Sequence, residues 1–120
     1  MPAKTRLATL IATEEGFFTS GTLPNRNLNP GDLRHSPHAS HLPGDPDGIG
    51  VEDSIDDGWA DLERQLQLDA SRGMTIQQAI YSWAPPSENN TAKYLADIIN
   101  GFHGLVDDNT PLSQVLLIPA

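Results

Sequence analysis

The sequence predicts a mainly α-helical single domain of about five helical segments arranged around one long loop. Three observations predict it. Apolar residues recur at three- and four-residue spacing in separate stretches, each bounded by capping residues, glycine or proline. Between the first two stretches, residues 20–50 are dense in Pro, Gly, Asn, Asp and His, with only Leu23, Leu28, Leu33, Leu42 and Ile49 as scattered anchors. A loop of that length is usually functional or disordered. Finally, 120 residues with 38% hydrophobic content suffice for one modest core, so residues 1–120 read as one domain with no repeat and no internal boundary.

The first helix starts at a Thr5 cap, and Leu7, Leu10, Ile11 and Phe18 share one face. It runs into Glu14, Glu15 and Gly16. At about 100° per residue, Glu14 projects near the middle of the apolar stripe, while Glu15 lies about 80° from Leu7, on its flank. A carboxylate at a helix C-terminus, half surrounded by Ile11, Phe17 and Phe18, meets both the negative end of the macrodipole and desolvation, and each raises its pKa. That is the setting of a general acid working near neutral pH. The plainer alternative is one solvated glutamate beside another making a structural hydrogen bond.

After the long loop, in which Gly48–Glu52 reads as one short strand, Ser54 or Asp56 caps a second helix. Ile55, Trp59, Leu62 and Leu66 follow helical spacing, the buried face runs through Trp59, and Gly73 stops the helix. Thr75 opens a third helix with a capping box to Gln78; Ile76, Ala79, Ile80 and Trp83 face inward, and Pro85-Pro86 ends it. Ser87, Asn89 or Asn90 caps a fourth, carrying Tyr94, Leu95, Ile98, Ile99 and Phe102 as far as Gly104. Thr110-Pro111 reads as a cap and first helical position before the apolar run Leu112–Ile118, which is equally compatible with a strand.

Four segments carry a family resemblance. Ile11-Ala12-Thr13-Glu14-Glu15-Gly16-Phe17 matches an "IAxxEGF" helix end, and Asn25-Arg26-Asn27-Leu28-Asn29-Pro30-Gly31-Asp32-Leu33-Arg34 an "RNNNPGNLR" segment. Gly58-Trp59-Ala60-Asp61-Leu62-Glu63-Arg64-Gln65-Leu66 matches "GW..L..QL". Trp83-Ala84-Pro85-Pro86-Ser87-Glu88-Asn89-Asn90-Thr91-Ala92-Lys93-Tyr94 matches "WAPPxENxT..Y". In this order, over roughly Leu7 to Gly104, the chain resembles a phage-associated lysozyme-like family of muramidases, lytic transglycosylases and related virion proteins.

The resemblance implies a lysozyme-like fold in which a long loop or small β-hairpin walls a cleft. It also implies cleavage of the β-1,4 bond between N-acetylmuramic acid and N-acetylglucosamine in peptidoglycan. It puts the general acid at Glu15, whereas helical periodicity favours Glu14 as the more deeply placed residue. Two positions depart from the family pattern: Asp32 stands where Asn is usual, and Val51 near where an aromatic is usual. Asp32 is the only acidic residue in the matched loop and so the leading second carboxylate, ahead of Asp45 and Asp47. A carboxylate across a water-wide gap would make an inverting hydrolase; a lone glutamate with attack by the muramic 6-hydroxyl would make a lytic transglycosylase.

Substrate contacts are expected from the amides of Asn25, Asn27 and Asn29, from Arg34, and from Glu88, Asn89, Asn90 and Tyr94; for the last group the alternative is a helix-capping network. Trp83 and Tyr94 are of the type that stacks on sugar faces, although Trp83 also fits a core position. A different class stays open: a non-catalytic glycan-binding or virion structural module that keeps Glu15 without turnover.

Composition narrows the partners. Seven basic against sixteen acidic residues give net −9, which argues against nucleic acid and against an anionic membrane surface. A basic protein partner is supported by net charge alone. There is no cysteine, hence no disulfide or thiolate metal site. His35, His38 and His41 near Asp45 and Asp47 suggest a metal site, but a loop broken by Pro37 and Pro43 fixes no geometry, and they read as exposed loop histidines. Asp45-Pro46-Asp47-Gly48 begins a calcium-loop pattern without its closing glutamate. No metal or cofactor is expected. Residues 1–6 are too polar and short for a signal peptide, and no apolar run reaches about 18 residues, so membrane insertion is not expected. A protein made in the cytoplasm would then reach the cell wall by holin-type release, specialised secretion or incorporation into a virion.

Overall fold

The computed structural model describes residues 4–34, 39–40 and 49–120. The chain is mainly helical. Among the described residues lie α1 (Arg6–Glu14), α2 (Leu23–Arg26), α3 (Ile55–Ser71), α4 (Ile76–Trp83), α5 (Thr91–Asn100) and α6 (Leu112–Val115). β1 (Ala39–Ser40) and β2 (Val51–Glu52) pair antiparallel, Ala39 opposite Glu52 and Ser40 opposite Val51. No helix among the described residues is long and apolar enough to cross a membrane.

Local chemistry sets the helix starts. Thr5 Oγ1 accepts from the Ala8 N–H at 3.1 Å, Ser54 caps α3, and Thr75 and Gln78 form the full capping box of α4. Asn90 is the residue that caps α5, accepting from the Lys93 N–H. Thr5 is also a tertiary anchor: its N–H and hydroxyl donate to Glu63 Oε1 at 3.1 and 2.8 Å, fixing the start of α1 against α3.

α1 packs on α3 and α5, α4 on α5, and α6 against α3 and α4. Their inward faces merge into one cluster in which Leu7, Ile11, Leu62, Ile80, Ile98 and Phe102 are at most 1% exposed. Each such side chain contributes about 1.5–3 kcal/mol through removal from water.

Five expectations need correction. The long loop contains a helix: Thr22 Oγ1 accepts from the Asn25 N–H at 3.4 Å, and Pro24 sits in the first turn, where a missing N–H costs nothing. Phe18 is not on the buried face of α1, because the helix stops at Glu14 and the ring is 59% exposed. α5 ends at Asn100 and not at Gly104; Phe102 is buried from the turn that follows. In the C-terminal run only Leu112–Val115 is helical, with Pro111 at the cap position and not the first helical one. Beyond it the chain pairs with the N-terminal segment: the Arg6 N–H donates to Ile118 O at 3.0 Å and the Ala120 N–H to Lys4 O at 3.2 Å. The strand expected over residues 48–52 is the two-residue β2, with Gly48 outside the described residues.

Candidate active site

The end of α1 is a Schellman turn, and that turn explains the Glu-Gly-Phe sequence. The Phe17 N–H donates to Ala12 O at 2.9 Å and the Gly16 N–H to Thr13 O at 3.1 Å, with Gly16 at φ 81°, a conformation that favours glycine. Glu15 is therefore the C-cap, held at φ −75°, ψ −8°, while Phe17 is folded back against Trp59, ring centroids 5.5 Å apart. The turn turns Phe17 inward and leaves Glu15 at the cleft wall.

The segment after α1 is tied back to it. Thr22 Oγ1 donates to Gly16 O at 2.7 Å, and Asn25 Nδ2 donates to Phe17 O at 3.0 Å. Further on, Asn29-Pro30-Gly31-Asp32 closes a β-turn with the Asp32 N–H donating to Asn29 O at 3.0 Å and Pro30 in its second position. Asn29 is fully buried: Nδ2 donates to Leu33 O at 2.8 Å and Gly50 O at 2.9 Å, and Oδ1 accepts from the Leu33 N–H at 3.0 Å. The loop lies on α3 at Gly58, where a Cβ would stand 2.0 Å from Leu28 O. Only glycine permits that approach.

These constraints build a cleft of about 370 Å³ lined by Glu15, Leu23, Gly31, Asp32, Arg34, Ile49, Trp83, Glu88 and Asn89. Tyr94 stands behind Glu15, its hydroxyl donating to Glu15 Oε2 at 2.6 Å. Across the mouth, Arg34 Nη2 meets Glu88 Oε1 at 3.3 Å, a pair about half exposed on each side.

Burial lifts the Glu15 pKa from 4.5 to about 7; the Tyr94 hydrogen bond opposes this, and the charges of Asp32 and Glu14 add to it. Tyr94 is held neutral, its pKa raised chiefly by burial and then by the Glu15 charge. Glu14 is also raised, by burial and then by Asp97, with Lys93 opposing, but it faces α5 and does not line the cleft. Asp32 sits at φ 51°, a left-handed conformation that Asn and Asp tolerate best after glycine. Aspartate at this position therefore keeps a backbone that asparagine would also tolerate and adds a charge.

No family model, curated protein or solved structure matches this chain. What the site can do is argued from its own geometry.

Of the residues singled out in the sequence, Glu15, Asp32, Arg34, Glu88 and Asn89 come together on one cleft, with Tyr94 bonded to Glu15. Asn25, Asn27, Asn29 and Asn90 do not line it. Asn25 braces the end of α1, Asn29 is the hub of the loop, and Asn90 caps α5. Asn27 is 5% exposed, with Nδ2 buried and unbonded, and its carbonyl accepts from the Glu52 N–H at 2.9 Å. Of the two roles expected for the amides of Asn25, Asn27 and Asn29, shaping the cleft or lining it, they take the first, bracing its wall from inside. Leu23, Gly31 and Ile49 line the cleft without a sequence signal for contact, and Trp83, of the type that stacks on sugar faces, lines it although its helical spacing fits the core equally. Among the described residues no group of three or more His, Asp or Glu side chains is arranged to hold a metal ion. The sequence-suggested metal and calcium residues His35, His38, His41, Asp45 and Asp47 lie outside the described residues.

Proposed function

We propose that this chain is a peptidoglycan-cleaving glycosidase, a muramidase or lytic transglycosylase, acting on the N-acetylmuramic acid–N-acetylglucosamine β-1,4 bond with Glu15 as general acid. One observation carries the reading: a glutamate with pKa near 7 at the wall of an open cleft, gripped through one oxygen by a buried tyrosine. The order of the four motifs resembling the lysozyme-like family supports the same assignment.

Tyr94 occupies Oε2, so the transferable proton belongs on Oε1. That proton passes to the glycosidic oxygen as the C1–O bond breaks, and charge develops at C1 through an oxocarbenium-like state. Asp32, on the same cleft and close enough for its charge to raise Glu15, acts as the second carboxylate, taking the proton of a water that attacks C1. Where the muramic 6-hydroxyl attacks instead, Glu15 recovers its proton from that hydroxyl and the product is a 1,6-anhydro sugar. Trp83 offers a face for stacking and Asn89 an amide for a hydroxyl or acetamido group. Holin-type release, export or virion assembly would bring the chain to the wall.

The test is digestion of purified peptidoglycan by wild type, Glu15→Gln and Glu14→Gln, with products read by mass spectrometry. Muropeptide release lost only in Glu15→Gln is the expected result. Reducing ends identify a hydrolase and 1,6-anhydro ends a transglycosylase. A wild type that co-sediments with several wall types yet releases nothing overturns the enzymatic reading in favour of a glycan-binding module.

A further inference from the structure

Beyond the Arg34–Glu88 pair the cleft continues into a second cavity of about 310 Å³, which shares Gly31, Asp32, Arg34, Trp83 and Glu88 with the first. Both side chains of the pair are about half exposed and line both cavities. Asp69 lines the second cavity from α3. Its side chain is only 6% exposed; Oδ1 accepts from Gln65 Nε2 at 3.1 Å and from Arg72 Nη1 at 3.4 Å, and Oδ2 takes part in neither bond. Burial raises the Asp69 pKa despite both partners.

As a structural residue this carboxylate is a poor choice. An asparagine would accept the same two bonds without desolvating a charge. A buried carboxylate with an oxygen left for a cavity suits a ligand that brings a positive charge of its own. Arg72, 60% exposed, lines the same cavity and supplies the opposite sign beside it. A site presenting one anion and one cation within a few ångströms matches a group carrying both an ammonium and a carboxylate.

We propose that this second cavity binds the peptide stem of a glycan strand lying in the main cleft, Asp69 receiving a stem ammonium and Arg72 a stem carboxylate. The inference rests on the peptidoglycan reading above.

Its test separates the two. The labelled full chain is titrated by NMR with a synthetic stem tripeptide ending in a diamino acid, with the same peptide acetylated on its side-chain amine, and with Asp69→Asn protein. Saturable shifts at Gln65, Arg72 and Ser82 are expected with the free-amine peptide. Affinity should be at least about tenfold weaker after either acetylation or Asp69→Asn, a melt confirming that the variant is folded. No binding, or equal affinity in all three pairings, overturns the proposal.

In parallel, release from intact walls is compared with release from walls stripped of stems by an amidase. Wild type is expected to show about a tenfold lower KM on intact strands, and Asp69→Asn to treat both alike. If neither wall is cleaved but the peptide binds with the stated Asp69 dependence, the stem site stands and the glycosidase reading falls. If both walls are cleaved equally and the peptide does not bind, the reverse holds.

Discussion

Tyr94 and Glu15, 79 residues apart in sequence, are joined by a 2.6 Å hydrogen bond from the phenol to Oε2. The bond crosses the α1–α5 contact, so the packing of two helices sets the orientation of the candidate acid. It also tempers that acid's pKa, which burial raises, since it is the main influence opposing burial.

Tyr94→Phe removes the donor with little change of volume. The ionised form of Glu15 loses its stabilising partner, so its pKa rises above about 7 and the alkaline limb of the pH–rate profile moves to higher pH. With the carboxyl no longer held, kcat at the optimum falls by roughly tenfold. Cell-wall turnover measured from pH 4 to 9 checks both effects; an alkaline limb that stays in place would separate Tyr94 from the titration.

Glu15→Gln trades activity for stability. A carboxyl whose folded pKa lies above its unfolded value opposes folding once ionised. The penalty is absent below about pH 4.5, grows through the interval, and is complete above about 7. The glutamine keeps an acceptor for Tyr94. Urea melts should therefore show little gain at pH 4 and a gain on the order of 3 kcal/mol at pH 8, while turnover drops by about 10²–10⁴-fold.

Asp32→Asn retains the left-handed backbone at φ 51° and removes only the charge. Glu15 loses a neighbouring anion, its pKa falls, and the alkaline limb moves to lower pH, opposite to Tyr94→Phe. As the second carboxylate, Asp32 should cost about 10²–10⁴-fold in kcat when neutralised. Full activity with 1,6-anhydro products would assign the chemistry to Glu15 alone. Asp32→Ala adds backbone strain of roughly 1–2 kcal/mol, visible as a lower Tm.

Asn29→Ala and Asn89→Ala should fail in different ways. Asn29 makes three bonds from a fully buried side chain, so its loss destabilises by about 2–4 kcal/mol in a denaturant melt. Asn89 is exposed on the cleft, and its loss should leave the melt unchanged and raise KM by about fivefold.

Much of this protein is written locally. Thr5, Ser54 and the Thr75–Gln78 box start their helices at the positions the sequence marks, because a cap needs only its own next three residues. The Glu15-Gly16-Phe17 turn is equally local, since a Schellman turn favours glycine just past the C-cap residue. What sequence could not rank was Glu14 against Glu15. Helical projection favours Glu14, yet Glu15 is the more deeply buried, because burial at a helix end is supplied by what packs there: Tyr94 from α5 and the loop bearing Leu23 and Asp32.

The loop divides in the same way. Asparagine density announced polar chemistry between residues 25 and 29, but which amides meet the cleft was decided by the seat of that loop on Gly58 and β2. This seat turns Asn29 inward to bind backbone and brings Asp32 and Arg34 to the wall. Sequence alone determined the presence of the four longer helices, the Thr5 and Thr75–Gln78 caps and the glutamate-glycine turn, all of which rest on interactions within a few residues. Tertiary structure alone decided the titration of Glu15, its Tyr94 partner and the membership of the cleft, because these depend on desolvation and contacts between segments far apart in the chain.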